Sequence, residues 1–228
     1  MGKLIVIEGS DGSGKATQST RLCNKLISLG INARRISFPN YKSESSALIK
    51  MFLRGDFGSN PEEINPYAIS LFYAMDRFSS FLQDWKEFYE LGDSFIIADR
   101  YSGSNMAYQI AKIKSKRDKL RFINWIKKIE FGKLNLPIPD LTIFLDVNPS
   151  VSAILRKMRG REDIIESDKI YLNKVYYSYL ELVKELNWLK VECSIGNTPK
   201  GILDIENEIF TLVEEHLLIQ SVKKLDKE

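Results

Sequence analysis

The residues best suited to chemistry lie within the first fifteen positions of the chain. Gly9 and Gly14 are separated by four residues and followed at once by Lys15, which gives the spacing G-x-x-x-x-G-K. Glycines in this spacing let backbone N–H groups turn inward around an anion, and the lysine reaches the outer phosphates. The apolar residues 4–7 precede the loop. The pattern therefore predicts a strand, a phosphate-binding loop and a helix whose N-terminus faces the anion.

The position after the lysine departs from the usual pattern. A Ser or Thr normally stands there and ligates Mg²⁺ through its hydroxyl. This sequence instead has Ala16, followed by Thr17. A helix turns about 100° per residue, so Thr17 points in another direction and does not substitute directly. A water molecule, or a carboxylate from another strand, would complete the metal site, since Mg²⁺ in proteins keeps several waters.

A second concentration of polar side chains follows another predicted strand. Residues 94–98 form a short, mostly apolar run, and residues 99–109 then read DRYSGSNMAYQ. The carboxylate of Asp99, the guanidinium of Arg100 and several hydroxyl and amide groups therefore stand at the C-terminal end of a buried strand. Open α/β sheets bind their ligands at this end. The mixture suits a metal-bound phosphate together with one planar base.

Strands and helices must alternate along the chain to bring these two groups together. Such alternation produces right-handed crossovers and a parallel sheet with helices on both faces. We expect an α/β, three-layer P-loop NTPase fold with a five-stranded parallel sheet, in a single domain spanning residues 1–228. The predicted strands are residues 4–7, 31–38, 94–98, 141–145 and 190–193. The predicted helices are residues 17–29, 43–54, 61–90 with a bend near Pro66, stretches beginning near 103, 116 and 149, one ending at 186, and 199–219.

Composition and charge exclude several classes of function. The 228 residues contain 33 Lys or Arg and 30 Asp or Glu, so the net charge is only +3, and the basic residues are dispersed. No nucleic-acid partner is expected from such a distribution. No apolar run approaches the roughly 20 residues that a spanning helix requires, so no membrane partner is expected and the chain is predicted to be cytoplasmic. Cys23 and Cys193 have no metal-ligand spacing and are predicted to be free thiols.

The two polar stretches together carry a family resemblance. Residues 99–108 match the thymidylate kinase signature D-R-Y-x-x-S-N-x-A-Y, and residues 9–18 match the loop GxDGxGKxTQ of the same family. Phe38-Pro39, residues 71–77 and residues 179–182 resemble further family segments, in the family's order. The chain thus resembles thymidylate kinases over nearly its full length. This resemblance implies transfer of a phosphoryl group from ATP to dTMP for dTTP biosynthesis, with Mg²⁺ as cofactor, in a homodimer.

The resemblance assigns the ATP side of the site to the loop. Lys15 would hold phosphate oxygens of ATP while loop amides surround the β-phosphate. Asp99 would orient Mg²⁺ through water, a role that gains weight because Ala16 has no hydroxyl. The predicted ATP-binding residues are Gly9, Gly12, Ser13, Gly14, Lys15, Ala16 and Thr17.

The resemblance also assigns residues to dTMP. Asp11 would accept a hydrogen bond from the 3′-hydroxyl, and Arg77 would grip the 5′-phosphate. Arg100 would stand between the phosphate groups of donor and acceptor. Lys15, Asp99 and Arg100 are thereby predicted to be catalytic. Arginine suits such positions because its planar guanidinium makes bidentate contacts with phosphate.

An aromatic ring is expected to stack on the base of the acceptor. The family places this ring four residues before the arginine of the long helix, which selects Tyr73, with Phe72 as the alternative. Asn105 and its neighbour Ser104 would read polar edges of the base. Tyr108 would crowd the 2′ side of the sugar, so that deoxyribose is preferred. In addition to Asp11, Arg77 and Arg100, the residues predicted to bind dTMP are Phe38, Phe72, Tyr73, Ser104, Asn105 and Tyr108.

A basic segment late in the chain resembles the family's lid. Residues 156–161 read RKMRGR, within a lid predicted at about residues 156–168. Gly12 occupies the loop position where one subgroup of the family has an arginine. The lid residues Arg159 and Arg161 therefore become the predicted electrostatic catalysts. The choice between them stays open, because the family's arginine position in the lid is Ile164 here.

Two alternative functions remain open from the sequence. One is another P-loop kinase that acts on a deoxynucleoside or a different monophosphate, although Arg77 favours an acceptor that already carries phosphate. The other is a nucleotide-binding homologue without catalytic activity, which the missing hydroxyl at Ala16 suggests. The retained Asp11, Asp99 and Arg100 favour catalysis.

Overall fold

Five parallel strands form the centre of the protein. The computed structural model describes residues 1–157, 164–165 and 168–218. The strands are β1 Lys3–Glu8, β2 Ala33–Ser37, β3 Phe95–Asp99, β4 Leu141–Asp146 and β5 Leu189–Glu192. They lie side by side in the order β2, β3, β1, β4, β5, and every neighbouring pair is parallel. The predicted α/β fold with a five-stranded parallel sheet is therefore confirmed.

Helices cover both faces of this sheet. A 3₁₀ turn at Glu44–Ser46 leads into the second helix, and π-helical turns lie at Phe81–Trp85, Lys128–Lys133 and Glu214–Leu218. No helix of the described residues is long and apolar enough to cross a membrane. The helices are α1 Lys15–Ser28, α2 Ala47–Arg54, α3 Pro66–Ser80, α4 Lys86–Glu90, α5 Ser102–Ile110, α6 Lys116–Lys127, α7 Pro149–Lys157, α8 Lys169–Glu185 and α9 Ile202–Val213.

The central strand β1 shows how the sheet is buried on both sides. Successive side chains of a strand point to opposite faces. Ile5 and Ile7 accordingly pack in the cluster that contains residues of α1 and α9, whereas Leu4 and Val6 pack in a separate cluster that contains Trp85. All four are at most 1% exposed. Both faces are therefore apolar, as expected for a parallel sheet between helical layers.

The long helical stretch begins later than the sequence predicts. The chain from Pro61 to Asn65 is not helical, and α3 starts at Pro66. The Asn65 side chain caps the helix by accepting hydrogen bonds from the amides of Tyr67 at 2.9 Å and Ala68 at 3.3 Å. Proline is favoured in the first turn because its missing N–H would have no helical partner there. The predicted bend near Pro66 is therefore wrong, and the residue instead starts the helix.

The C-terminal region contains a small hairpin that the sequence pattern does not reveal. Strands β6, Ser194–Ile195, and β7, Thr198–Pro199, pair antiparallel. The last helix, predicted to begin at Pro199, therefore begins at Ile202. A two-residue pairing is too short to produce the alternation that identifies strands.

Candidate active site

The loop after β1 has the backbone conformation that its glycines permit. Gly12 and Gly14 have φ values of 81° and 85°, in a region that residues with a Cβ rarely adopt. A Cβ on Gly12 would lie 2.6 Å from the carbonyl oxygen of Ser152 and 3.0 Å from Cγ of Arg156. Arg156 of α7 also donates a hydrogen bond from Nη1 to the carbonyl of Asp11 at 3.1 Å. Only glycine therefore fits between the loop and α7.

Lys15, the first residue of α1, is buried. Its Nζ donates to the carbonyl of Ser10 at 2.6 Å and contacts Oγ of Ser13 at 3.3 Å. Burial, together with the nearby positive charge of Arg100, lowers the pKa of Lys15 to about 7. A phosphate placed beside the ammonium group would restore its charged form, because an opposite charge favours the ionised state.

A cavity of about 540 Å³ lies over the loop. We call it the donor cavity, because most of the residues predicted to bind ATP, the phosphoryl donor, line it. Its lining includes residues 11–18 and a set of mostly apolar residues, Val147, Leu155, Cys193, Pro199, Ile202 and Ile205. Backbone amides of the loop suit phosphates, and apolar side chains suit a flat base. Of the predicted ATP-binding residues, Gly9 alone is not part of this lining. It lies beneath the loop, where its carbonyl accepts a hydrogen bond from Arg100 at 3.3 Å.

A second cavity, of about 250 Å³, lies beside the donor cavity. We call it the acceptor cavity, because residues predicted to bind dTMP, the phosphoryl acceptor, line it. Tyr73 lines it, whereas Phe72 is not among the described lining residues and packs against the ring of Phe57, 5.8 Å away between centroids. Of these two neighbouring aromatic residues, Tyr73 is therefore the one that α3 presents to the cavity. The predicted residues that line the acceptor cavity are Asp11, Phe38, Tyr73, Arg77, Arg100, Ser104, Asn105 and Tyr108.

Three side chains, Asp11, Asp99 and Arg100, line both cavities. The backbone of Arg100 has φ 68°, a strained conformation for a residue other than glycine. From this position its guanidinium pairs with the carboxylate of Asp11 and donates from Nη1 to Oγ of Ser104 at 3.1 Å. Arg100 is thereby held where the two cavities meet.

The carboxylate of Asp11 also accepts a hydrogen bond from the hydroxyl of Tyr108. Burial, followed by the neighbouring Asp11 charge, raises the pKa of Tyr108 well above its usual value. The phenol therefore stays protonated and remains a donor. Asp11 thus joins the loop, the end of β3 and helix α5 into one hydrogen-bonded group.

Glu8 supports this group from below and was not among the predicted site residues. It is 0% exposed and accepts hydrogen bonds from the amides of Tyr101 at 3.0 Å and Ser104 at 2.9 Å. A third bond comes from Oγ of Ser104 at 2.6 Å. Glu8 therefore acts as the cap of α5, whose first amides would otherwise lack partners. A carboxylate that ends an apolar strand directly before the loop is the sequence signal that could have identified it.

Two further pairs hold predicted site residues from distant parts of the chain. Arg77, 2% exposed, donates from Nε and Nη2 to the buried carboxylate of Glu130 at 2.8 and 2.5 Å. Arg35 of β2 donates to Oδ2 of Asp99 at 2.7 Å. No local pattern marks Glu130 or Arg35 as partners, because each lies more than fifty residues from the residue it holds.

The loop after β2 is held over the acceptor cavity by Asp76. One carboxylate oxygen of Asp76 accepts from the amide of Asn40 at 2.9 Å, and the other accepts from Oγ of Ser45 at 2.7 Å. Phe38 and Tyr41 of this loop line the cavity. Asp76 directly precedes Arg77, so adjacent residues of α3 hold the loop and contribute to the lining.

The described residues fit a Mg²⁺ ion that is carried mainly by phosphates and water. They contain no group of three or more His, Cys, Asp or Glu side chains placed to hold a metal. Asp99 nonetheless brings a carboxylate to both cavities, and its Oδ2 is the oxygen that bonds Arg35. Mg²⁺ commonly binds through one or two carboxylates, substrate phosphates and several waters. The predicted lid catalysts Arg159 and Arg161 lie outside the described residues.

A parallel sheet with a phosphate loop after its central strand is the arrangement of the P-loop NTPase fold, and a second cavity beside that loop leaves room for a second ligand. Residues 7–208 match the family model described as thymidylate kinase. The chain belongs to the thymidylate kinase family, and the predicted P-loop NTPase fold is confirmed.

Similar proteins support this assignment along most of the chain. The thymidylate kinase of Prochlorococcus marinus (strain NATL2A) is 31% identical over 216 residues, which cover 93% of this chain and 98% of that protein. The thymidylate kinase of Schizosaccharomyces pombe is 31% identical over 213 residues, covering 93% of this chain and 91% of that one. The solved structure of thymidylate kinase from Candida albicans, 26% identical, superposes with a TM-score of 0.69 over 94% of this chain and 92% of that chain.

Proposed function

We propose that this protein transfers the γ-phosphoryl group of ATP to dTMP, giving ADP and dTDP, as a step toward dTTP. Membership of the thymidylate kinase family supports the substrates. One observation carries the chemistry, namely that the donor and acceptor cavities meet at Asp11, Asp99 and Arg100. Ligands bound in the two cavities would therefore contact the same three residues, as direct phosphoryl transfer between neighbouring ligands requires. Both substrates are available in the cytoplasm, the location we propose.

Positioning and charge supply most of the rate in phosphoryl transfer, so no protein nucleophile is required. Lys15 and the loop amides would hold the phosphates of ATP over the N-terminus of α1. Arg100 would contact the phosphates of both ligands, because its guanidinium is held at the junction by Asp11 and Ser104. We retain the lid residues Arg159 and Arg161 as further proposed sources of positive charge.

Mg²⁺ bound with ATP would neutralise part of the phosphate charge. Asp99 would hold this ion through water, since its carboxylate reaches both cavities. Arg35 fixes the direction of that carboxylate through the bond to Oδ2. Ala16 adds no ligand, which leaves the phosphates and water as the main partners of the ion.

The acceptor base would stack on Tyr73 and be read by Asn105. The Nδ2 group of Asn105 donates to the carbonyl of Ser70 at 3.2 Å, and its buried Oδ1 has no hydrogen-bond partner. An unpartnered buried acceptor is unfavourable, so a ligand N–H group would be stabilised there. The N3–H group of thymine has this character.

For Arg77 we propose a role that differs from the phosphate contact predicted from the sequence. Two of its nitrogens bond Glu130, and the remaining Nη1 lies 3.5 Å from the carbonyl of Tyr101. A guanidinium that is already neutralised by a buried carboxylate attracts a phosphate less than a free one does. We therefore propose that Arg77 donates to a carbonyl oxygen of the base, and that Arg100 serves the 5′-phosphate.

A homodimer is also proposed, with α3 at its interface. Tyr67, Leu71 and Met75 recur every four residues along this helix and are 40–49% exposed. Leu82, in the following π-helical turn, is 51% exposed. Side chains four residues apart lie on one face of a helix, and contiguous exposed apolar surface of this kind marks interaction sites.

Release of ADP in the presence of ATP, Mg²⁺ and a panel of acceptors tests the proposed reaction. The panel is dTMP, dUMP, dCMP, AMP and thymidine. We expect turnover with dTMP well above the other acceptors, and Lys15→Met should lower it by about 100-fold. Faster turnover with another monophosphate would reassign the enzyme within the kinases. Tight ATP binding without turnover on any acceptor would instead favour a non-catalytic nucleotide-binding protein.

A further inference from the structure

Glu130 is a buried carboxylate that is linked to the acceptor cavity through Arg77. It is 0% exposed and lies in the π-helical turn Lys128–Lys133, directly after α6. A π-helical turn changes the direction of the side chains that follow and is often found at functional sites. Here the turn places the carboxylate of Glu130 against Nε and Nη2 of Arg77, at 2.8 and 2.5 Å.

Burial makes the two residues depend on each other. Removing a charge from water is unfavourable unless its partner offers good geometry, and two parallel hydrogen bonds to one carboxylate provide that geometry. The same two bonds fix the plane of the Arg77 guanidinium. They leave Nη1, with its long 3.5 Å contact to the carbonyl of Tyr101, as the guanidinium nitrogen that makes no bond to Glu130 and can therefore turn to a ligand.

The pair also determines the charge at this end of the acceptor cavity. Arg77 lines the cavity, and Glu130 cancels its charge. The cations expected to serve phosphates, Lys15 and Arg100, both lie at the loop side of the site. A donor group without net charge suits an uncharged carbonyl oxygen. An unneutralised cation here would instead attract the phosphate group of an acceptor bound in the reverse orientation.

We propose that Glu130 is a positioning and specificity residue of the acceptor site. It holds Nη1 of Arg77 in one direction and removes the net charge there. The site thereby selects the monophosphate of a base that presents a carbonyl oxygen to Arg77, over one that presents an amino group. The inference rests on the proposed function for the identity of the substrate, although the charge cancellation itself does not.

The test compares wild type with Glu130→Gln, which keeps the shape of the side chain and removes its charge. Glu206→Gln is the matched control, because Glu206 also pairs with an arginine, Arg21, at 2.5 Å, and neither residue is among the described residues that line the donor or acceptor cavity. Steady-state kinetics give KM for dTMP, KM for ATP, kcat and the preference for dTMP over dCMP. Inorganic phosphate serves as the probe for an exposed cationic site, and its binding is measured by calorimetry.

For Glu130→Gln, we expect KM for dTMP to rise about tenfold or more, while KM for ATP stays within about twofold. The preference for dTMP over dCMP should fall, and inorganic phosphate should bind more tightly than to wild type. Glu206→Gln should change none of these quantities. A folded Glu130→Gln protein with wild-type KM for dTMP and wild-type base preference would overturn the proposal, since a purely structural residue would leave both unchanged.

Two further measurements separate the possible failures. If wild type phosphorylates no acceptor, the proposed function fails, but phosphate binding still tests the cancelled charge: equal binding by wild type and Glu130→Gln refutes it. If Glu130→Gln does not fold, Glu130→Asp replaces it, because the side chain is shorter by one methylene and keeps the charge but withdraws the carboxylate from the Arg77 guanidinium. That variant should raise KM for dTMP about threefold or more with KM for ATP unchanged, and an unchanged KM for dTMP refutes the proposal.

Discussion

The carboxylate of Glu8, at the end of β1, holds Ser104 of α5 through two hydrogen bonds, one from the amide at 2.9 Å and one from Oγ at 2.6 Å. The strand that leads into the phosphate loop thereby also caps the helix that carries Asn105 and Tyr108. Gly103 makes this approach possible, because a Cβ there would lie 2.7 Å from Oε1 of Glu8. Glu8 therefore connects the phosphate loop, on the donor side of the site, with α5, on its acceptor side.

Glu8→Gln should lower both stability and activity. The variant keeps the shape of the side chain but replaces one of its two acceptor oxygens by a donor group, in a position that is 0% exposed. We expect the free energy of unfolding to fall by about 2 kcal/mol or more, as measured by urea denaturation. Glu192→Gln is the control, because Glu192 ends β5 but its side chain is 71% exposed. Equal stability of the two variants would contradict the capping role.

Ala16→Thr should lower the Mg²⁺ concentration needed for half-maximal activity, by about threefold or more, because it adds a hydroxyl ligand beside Lys15. Ala16 is exposed, so the larger side chain has room. Ala16→Val is the matched control, since valine has the shape of threonine without the hydroxyl. A magnesium titration at fixed ATP distinguishes them, and identical curves for Thr and Val variants would show that this position is not near the ion.

Tyr108 should control the choice between deoxyribose and ribose. Tyr108→Ala should raise the kcat/KM ratio of ribothymidine monophosphate to dTMP by about tenfold, because it opens space beside the sugar. Tyr108→Phe keeps the ring and removes only the hydrogen bond to Asp11, so the ratio should stay within about twofold of wild type. A similar change in both variants would mean that the hydroxyl, and not the ring, excludes the 2′-hydroxyl group.

ATP binding should be coupled to proton uptake at Lys15. In the free protein its pKa is about 7, so at about pH 8 the amine is mostly neutral. Phosphate charge favours the ammonium form and raises the pKa, so binding at that pH takes up a proton. The uptake should vanish as the pH falls below about 6, where Lys15 is already charged. Calorimetry in buffers of different ionisation enthalpy measures it, and uptake that persists in Lys15→Met would assign it to another group.

Leu71→Asp should convert a dimer into a monomer, because it puts a charge into the apolar stripe on α3. Analytical ultracentrifugation at a series of protein concentrations gives the mass directly. Ile170→Asp is the control, since Ile170 is 72% exposed but lies on α8, away from this stripe. A monomeric wild-type protein, or a monomer produced by both variants, would refute the α3 interface.

Local sequence patterns predict the helices and strands of the fold, but they misplace the first or last residue of several of them. All five strands were predicted within a few residues, because buried parallel strands are short apolar runs. The role of Pro66 was predicted wrongly. A proline that follows a capping Asn starts a helix, whereas a proline within a helix bends it. The hairpin of β6 and β7 contains too few residues to show a period.

The sequence by itself determined the features that depend on residues close together in the chain. These features are the loop from Gly9 to Lys15, the polar stretch that begins at Asp99, and the family that both indicate. They follow from the spacing of residues along the chain, which can be read without the three-dimensional structure. Only the tertiary structure decided the partners of those residues. Asp11 with Tyr108, Asp99 with Arg35 and Arg77 with Glu130 are separated by 97, 64 and 53 residues. The crossovers of the sheet and a π-helical turn bring the members of each pair together, and no local pattern records such long-range contacts.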